Sequence, residues 1–183
     1  MNIRMMVAMA SVVCVMSLAA VAETTVTLSD VHMCCGSCVN GVKTALKAMP
    51  DVNGVGSTEK KTIVLTAPDA ASAQKAVNAL VAAGYFGKSS DAAIKVEAPS
   101  GAPDGKVQTL TVSGVHVCCG SCVTAINGVL SKVDGVTGNT VKRGETSFNV
   151  TGNFAPKTIF ERLNAAGLAG KVGTAPANAT PAQ

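Results

Sequence analysis

The chain has no tryptophan, one tyrosine and four phenylalanines, and charged residues make up only 14% of it. Its formal net charge of +4 is scattered, with no basic cluster interleaved with aromatics, which argues against a nucleic-acid surface. Beyond residue 22 no apolar run approaches the roughly 20 residues that a membrane-spanning helix needs. There is no Ser-His-Asp set, no pair of carboxylates placed as at a hydrolytic site and no phosphate-cradling glycine loop, so the chain reads as a non-enzyme. A c-type haem site is also absent, because Val39 and Val123, not histidines, follow the C-x-x-C pairs.

What the sequence does contain begins with a leader. Arg4 precedes an apolar run from Met5 to Ala20, and Ala20-Val21-Ala22 supplies small residues for cleavage. Residues 1–22 are therefore expected to be a cleavable signal peptide, and the mature protein to be secreted or periplasmic, with no membrane span after cleavage. Of the seven cysteines, Cys14 lies in this leader. The other six form two clusters, Cys34, Cys35 and Cys38, then Cys118, Cys119 and Cys122. A disulfide framework spreads its cysteines to staple distant loops, whereas clustering favours sites.

The clusters belong to an internal repeat. His32-Met33-Cys34-Cys35-Gly36-Ser37-Cys38 returns as His116-Val117-Cys118-Cys119-Gly120-Ser121-Cys122. At the same offset Val39, Val42, Leu46 and Met49 fall on Val123, Ile126, Leu130 and Val133, so each position stays apolar. Later, Ala82-Ala83-Gly84 falls on Ala165-Ala166-Gly167 with one residue lost between the halves. A repeat unit of this length is a domain rather than a solenoid turn. The expected organisation is a first domain over 23–97, a Pro/Gly/Ser-rich linker over 98–105, a second domain over 106–173 and a disordered tail over 174–183.

Within the first domain, Thr24 to Ser29 alternates as a half-buried strand does. From Ser37 to Ala48 the apolar spacing predicts a helix that Pro50 ends. Val52 to Ser57 and Thr62 to Ala67 read as a hairpin, Ala71 to Ala83 as a second helix with Gly84 at its end, and Ala92 to Glu97 as a last strand. The second domain repeats the order: Lys106 to Ser113, Ser121 to Val133, Val136 to Arg143, Thr146 to Thr151, Ala155 to Ala166 and Leu168 to Val172. The predicted fold class is α+β, two tandem ferredoxin-like βαββαβ domains, each with a small aliphatic core.

In each domain the C-x-x-C pair, Cys35 with Cys38 and Cys119 with Cys122, falls where a loop enters the first helix. Thiols three residues apart there lie about one turn apart and can face one ion. The positive end of the helix stabilises the thiolate, the form that binds metal, and thiolates select soft or borderline ions such as Cu(I), Hg(II) and Zn(II).

These residues resemble the heavy-metal-associated domain family, which includes copper chaperones, the N-terminal modules of metal-exporting P-type ATPases and the periplasmic mercury-binding protein. The resemblance covers roughly 23–97 and 106–173, and rests on the strand, the C-x-x-C loop, the following helix and Ala83-Gly84-Tyr85 near the far end. It implies that Cys35, Cys38, Cys119 and Cys122 are metal ligands, that Met33 is the buried methionine propping the loop, and that Tyr85 is the aromatic near the site. It also implies a membrane metal transporter or P-type ATPase as partner. The sequence departs from the family pattern at His32 and His116, which replace a glycine, at the additional Cys34 and Cys118, and at Val117 and Leu168, which replace the methionine and tyrosine.

Cys34 and Cys118 are candidates for a third sulfur, and His32 and His116 for completion of a Cys3His tetrahedron around Zn(II). The alternative places the histidines on the loop surface and leaves the extra thiols half-engaged, since adjacent side chains in extended backbone diverge. The expected cargo is about one soft ion per domain, Cu(I) foremost with Hg(II) or Zn(II) as alternatives, bound at clusters in exposed loops of independently folded domains. A thiol-disulfide redox protein using the same C-x-x-C pairs is the rival reading. Against it stand the missing tryptophan and the cysteine adjacent to each pair.

Overall fold

The computed structural model describes residues 23–174. The expected signal peptide and all but the first residue of the expected tail lie outside the described residues. The first half runs β1 (Thr24–Ser29), α1 (Gly36–Ala45), β2 (Asn53–Ser57), β3 (Thr62–Ala67), α2 (Ala70–Ala82) and β4 (Lys88–Ser89). The second repeats it as β5 (Val107–Ser113), α3 (Gly120–Leu130), β6 (Val136–Asn139), β7 (Ser147–Phe154), α4 (Pro156–Ala165) and β8 (Lys171–Val172). Each half forms a four-stranded antiparallel sheet, ordered β2-β3-β1-β4 and β6-β7-β5-β8. Strand order and helix placement are those of two ferredoxin-like α+β units.

The local causes are visible in each element. Along β1 the side chains of Val26 and Leu28 are buried and the threonines between them are not, so the strand carries one apolar face. On α1 that face is Cys38, Val42 and, just past its end, Leu46; on α3 it is Cys122, Ile126 and Leu130. Asp69 starts α2 by accepting a hydrogen bond from the Ser72 backbone N–H at 2.6 Å, and Pro156 starts α4 with its φ already set.

Several expected strands are revised, the last one shortening from 168–172 to Lys171–Val172, and two of the revisions have a visible cause. The last strand of the first half pairs at Lys88–Ser89 with Ser29 and Leu28 of β1, not over 92–97. The later segment is held by α2 instead: the Gln74 amide accepts from the Lys95 N–H and donates to the Lys95 carbonyl, both at 2.8 Å, and Ile94 is buried. A side-chain amide thus takes the place of a strand partner. In the second half β6 stops at Asn139 rather than continuing to residue 143, because the Asn139 side chain accepts from the Val141 N–H and turns the chain.

The expectation of two independent cores is also corrected. The buried apolar side chains of both halves form one continuous cluster. Backbone crosses the junction as well: Tyr85 and Leu168 form an antiparallel bridge, with Phe86 N–H donating to Gly167 O at 3.2 Å and Ala169 N–H to Gly84 O at 2.9 Å. His32 N–H also donates to Gly167 O, at 3.1 Å. Gly84 and Gly167 follow α2 and α4 at φ of 92° and 79°, and a Cβ on either would collide with the backbone of the other half. Close approach at both points therefore requires glycine. The repeat unit ends its second helix on the same residue that lets the two copies dock.

Candidate metal centre

Docking in this way turns both cysteine loops toward one another. Cys35 and Cys119 are the extended N-cap residues of α1 and α3, at φ of −160° and −149°, and Cys38 and Cys122 lie in the first turns. Cys38 and Cys122 are fully buried, while Cys34, Cys35, Cys118 and Cys119 are partly buried. All six are free thiols.

Within the first half the Cys34 and Cys38 sulfurs are 3.5 Å apart and those of Cys35 and Cys38 3.9 Å. Within the second, Cys118 to Cys122 is 3.7 Å and Cys119 to Cys122 is 3.8 Å. Four contacts link the halves: Cys34 to Cys119 at 3.2 Å, Cys34 to Cys122 at 3.6 Å, Cys35 to Cys118 at 3.7 Å and Cys38 to Cys118 at 3.4 Å. The expectation of a separate cluster in each exposed loop is overturned. The loops form a single six-sulfur constellation, because the bridge at Tyr85 and Leu168 closes the halves face to face.

Position in the site divides the thiols electrostatically. Cys35 is held below its ordinary pKa, first by the Cys38 backbone N–H that its sulfur accepts. Burial acts on Cys119 in the opposite direction, but the Cys122 backbone N–H and the neighbouring thiols of Cys34, Cys35 and Cys122 outweigh it and bring Cys119 down to about 6. Burial pushes Cys34, Cys118 and Cys122 up. Thiolate is thus favoured at the two helix caps, while burial favours the protonated form of Cys34, Cys118 and Cys122 until a cation displaces the proton.

The two histidines are placed differently from the thiols and from each other. In two groups of cysteines, each with sulfurs all within 4.8 Å of one another, neither histidine is a member. His116 Nε2 lies 3.2 Å from the Tyr85 hydroxyl, and the two rings are 4.6 Å apart between centroids. That hydroxyl also donates to the Cys38 carbonyl at 2.8 Å, so Tyr85 ties the first cysteine loop to the second half. His32 has a buried Nε2 without a hydrogen-bond partner. Burial lowers the pKa of both histidines, helped by Lys61 at His32 and by His32 at His116. Met33 and Val117 are buried beneath their loops.

Sequence reasoning found every thiol and the tyrosine but missed their convergence. Contacts such as Cys34 to Cys119 have no local signature, and only the repeat itself hinted that two equal faces were available to meet.

No family model matches the chain. Among solved structures it is similar to oxidized MerP from Ralstonia metallidurans CH34, with 26% identity over 37% of this chain and 97% of that one and a TM-score of 0.34. A further similar structure is a copper binding domain from HMA7, a P-type ATPase, with 20% identity over 37% of this chain and 96% of that one and a TM-score of 0.32. The N-terminal soluble domains of Bacillus subtilis CopA are similar over 83% of this chain and 95% of that one, with 16% identity and a TM-score of 0.30. Among the described residues no helix is long and apolar enough to cross a membrane.

Proposed function

We propose that this is an exported binding protein of the heavy-metal-associated type that scavenges or relays a soft metal ion, Cu(I) foremost, outside the cytoplasm. The observation that carries the reading is the convergence of six free thiols joined by sulfur–sulfur contacts of 3.2 to 3.9 Å. Thiolate donors without carboxylates match soft ions, and exclude the hard cations that oxygen ligands select. Cys35, Cys38, Cys119 and Cys122 provide the C-x-x-C ligands, and Cys34 and Cys118 add sulfur to the same space. The partly exposed rim offers a transfer partner access to the ion, and a membrane transporter or P-type ATPase is the partner this chemistry suits.

Anaerobic Cu(I) titration of the reduced protein against a colorimetric chelator tests this. Tight uptake is expected, with loss of at least a hundredfold in affinity when Cys35, Cys38, Cys119 and Cys122 are all changed to Ser. Uptake unaffected by those substitutions would refute the assignment. Cell fractionation with the leader intact and deleted tests export.

The redox alternative draws on the depressed Cys119 pKa, since a thiolate beside a second thiol is the reactant of disulfide exchange. Reduction of a disulfide substrate at catalytic rates, with no retention of Cu(I), would establish it in place of metal binding.

A further inference from the structure

The six sulfurs divide into two groups of four, Cys34, Cys38, Cys118 and Cys122 in one, Cys34, Cys35, Cys118 and Cys119 in the other. Both groups contain Cys34 and Cys118. In the first, the sulfurs close a ring whose sides are 3.5 Å (Cys34 to Cys38), 3.4 Å (Cys38 to Cys118), 3.7 Å (Cys118 to Cys122) and 3.6 Å (Cys122 to Cys34). Four thiolates around a tetrahedral ion at about 2.3 Å stand about 3.8 Å apart, so the ring is already close to the size an ion requires. In the second group, contacts of 3.2 Å (Cys34 to Cys119) and 3.7 Å (Cys35 to Cys118) again run from one half to the other.

We propose that the two loops build one binuclear centre in which Cys34 and Cys118 bridge two soft ions. Cys38 and Cys122 complete the shell of the buried ion, and Cys35 and Cys119 that of the outer ion. The proposal rests on the soft-metal reading and departs from one ion per half, since every ion takes sulfur from both halves. It also gives the cysteine that precedes each C-x-x-C pair a role a mononuclear loop would not require. A thiolate has lone pairs enough to bind two cations at once, and sharing two of them lets six sulfurs supply two four-sulfur shells. The bound ions replace the thiol protons, which leave to solvent, and no electron transfer is involved. Because the halves meet at the ions, loading clamps them together.

The full chain, reduced and handled anaerobically, is titrated with Cu(I) and followed by native mass spectrometry, with X-ray absorption at the copper edge on the loaded protein. The expected result is a single-chain species carrying two copper ions that appears with little one-ion intermediate, together with copper–copper scattering. Changing Cys34 and Cys118 to Ser is expected to abolish that scattering and weaken affinity at least tenfold. Both residues are only partly buried, and circular dichroism of the variant checks that it folds. Two ions without copper–copper scattering, unchanged in the double variant, would mean one mononuclear site per half and overturn the binuclear centre while leaving soft-metal binding intact. A single ion per chain, or a cluster found only in a two-chain species, would overturn it too. No copper uptake at all would overturn both readings.

Discussion

Tyr85 and His116, from opposite halves, share a 3.2 Å hydrogen bond and a tilted ring contact, whereas His32, which holds the place of His116 in the repeat, has a buried Nε2 with no partner. The asymmetry traces to one position: the repeat equivalent of Tyr85 is Leu168, which has no hydroxyl to offer. One half of the junction is therefore polar and directional, and the other is apolar.

Tyr85→Phe is expected to destabilise the metal-free protein by about 1–3 kcal/mol, because it removes the buried donor to the Cys38 carbonyl and leaves the partly buried His116 Nε2 without its partner. Urea denaturation of wild type and variant measures this. A cost near zero would show that the hydroxyl neither ties the first cysteine loop nor joins the halves.

Gly167→Ala tests the docking itself. The positive φ of 79° alone costs a residue with a Cβ about 1–2 kcal/mol, and the added methyl would also press on the backbone at Asp30 and His32 of the other half. The halves are expected to part, visible as a larger radius of gyration in solution scattering and as two thermal transitions. A single transition at the wild-type temperature would contradict the role assigned to this contact.

Thiol reactivity should be ordered by position. With Cys119 at about 6, most of it is thiolate at pH 7, while burial holds Cys34 and Cys118 protonated well above that pH. Brief alkylation of the reduced, metal-free protein at pH 7 is expected to label Cys119 ahead of Cys34 and Cys118, and the Cys119 rate to fall as the pH drops through 6. Peptide mapping by mass spectrometry reads the order, and preferential labelling of Cys34 or Cys118 would refute it.

Acid stability should depend in part on the cap of α2. The Asp69 carboxyl is held below its ordinary value of 3.8 by the Ser72 backbone N–H, so the folded state binds its proton more weakly than the unfolded chain. Its contribution is fully present above the ordinary value and is lost as pH falls from there through the lowered folded value. Asp69→Asn keeps a capping oxygen without the charge and is expected to flatten the decline between pH 5 and pH 3, measured as the urea midpoint at each pH. An unaltered slope would show that other carboxylates carry the acid sensitivity.

Much of the architecture was legible in residue order because its causes are local. The alternation at Val26 and Leu28 marks a strand wherever it occurs, and the spacing of Val42 and Leu46 behind Cys38 marks the buried face of a helix. Two copies of the pattern implied two copies of the unit. The strand expected over 92–97 failed for a nonlocal reason: Gln74, twenty-one residues before Lys95, satisfies that backbone from a neighbouring helix.

Part of the site was likewise legible in sequence: which residues are thiols, and that a helix begins beneath each C-x-x-C pair. Tertiary structure alone decided that the pairs meet. Cys34 and Cys119 are brought within 3.2 Å by the fit of Gly84 and Gly167 against opposite backbones and by the bridge from Tyr85 to Leu168. No single loop encodes that fit, because the free energy of closing two surfaces depends on the shape of both at once. The number of sulfurs facing one another is therefore a property of the docked pair.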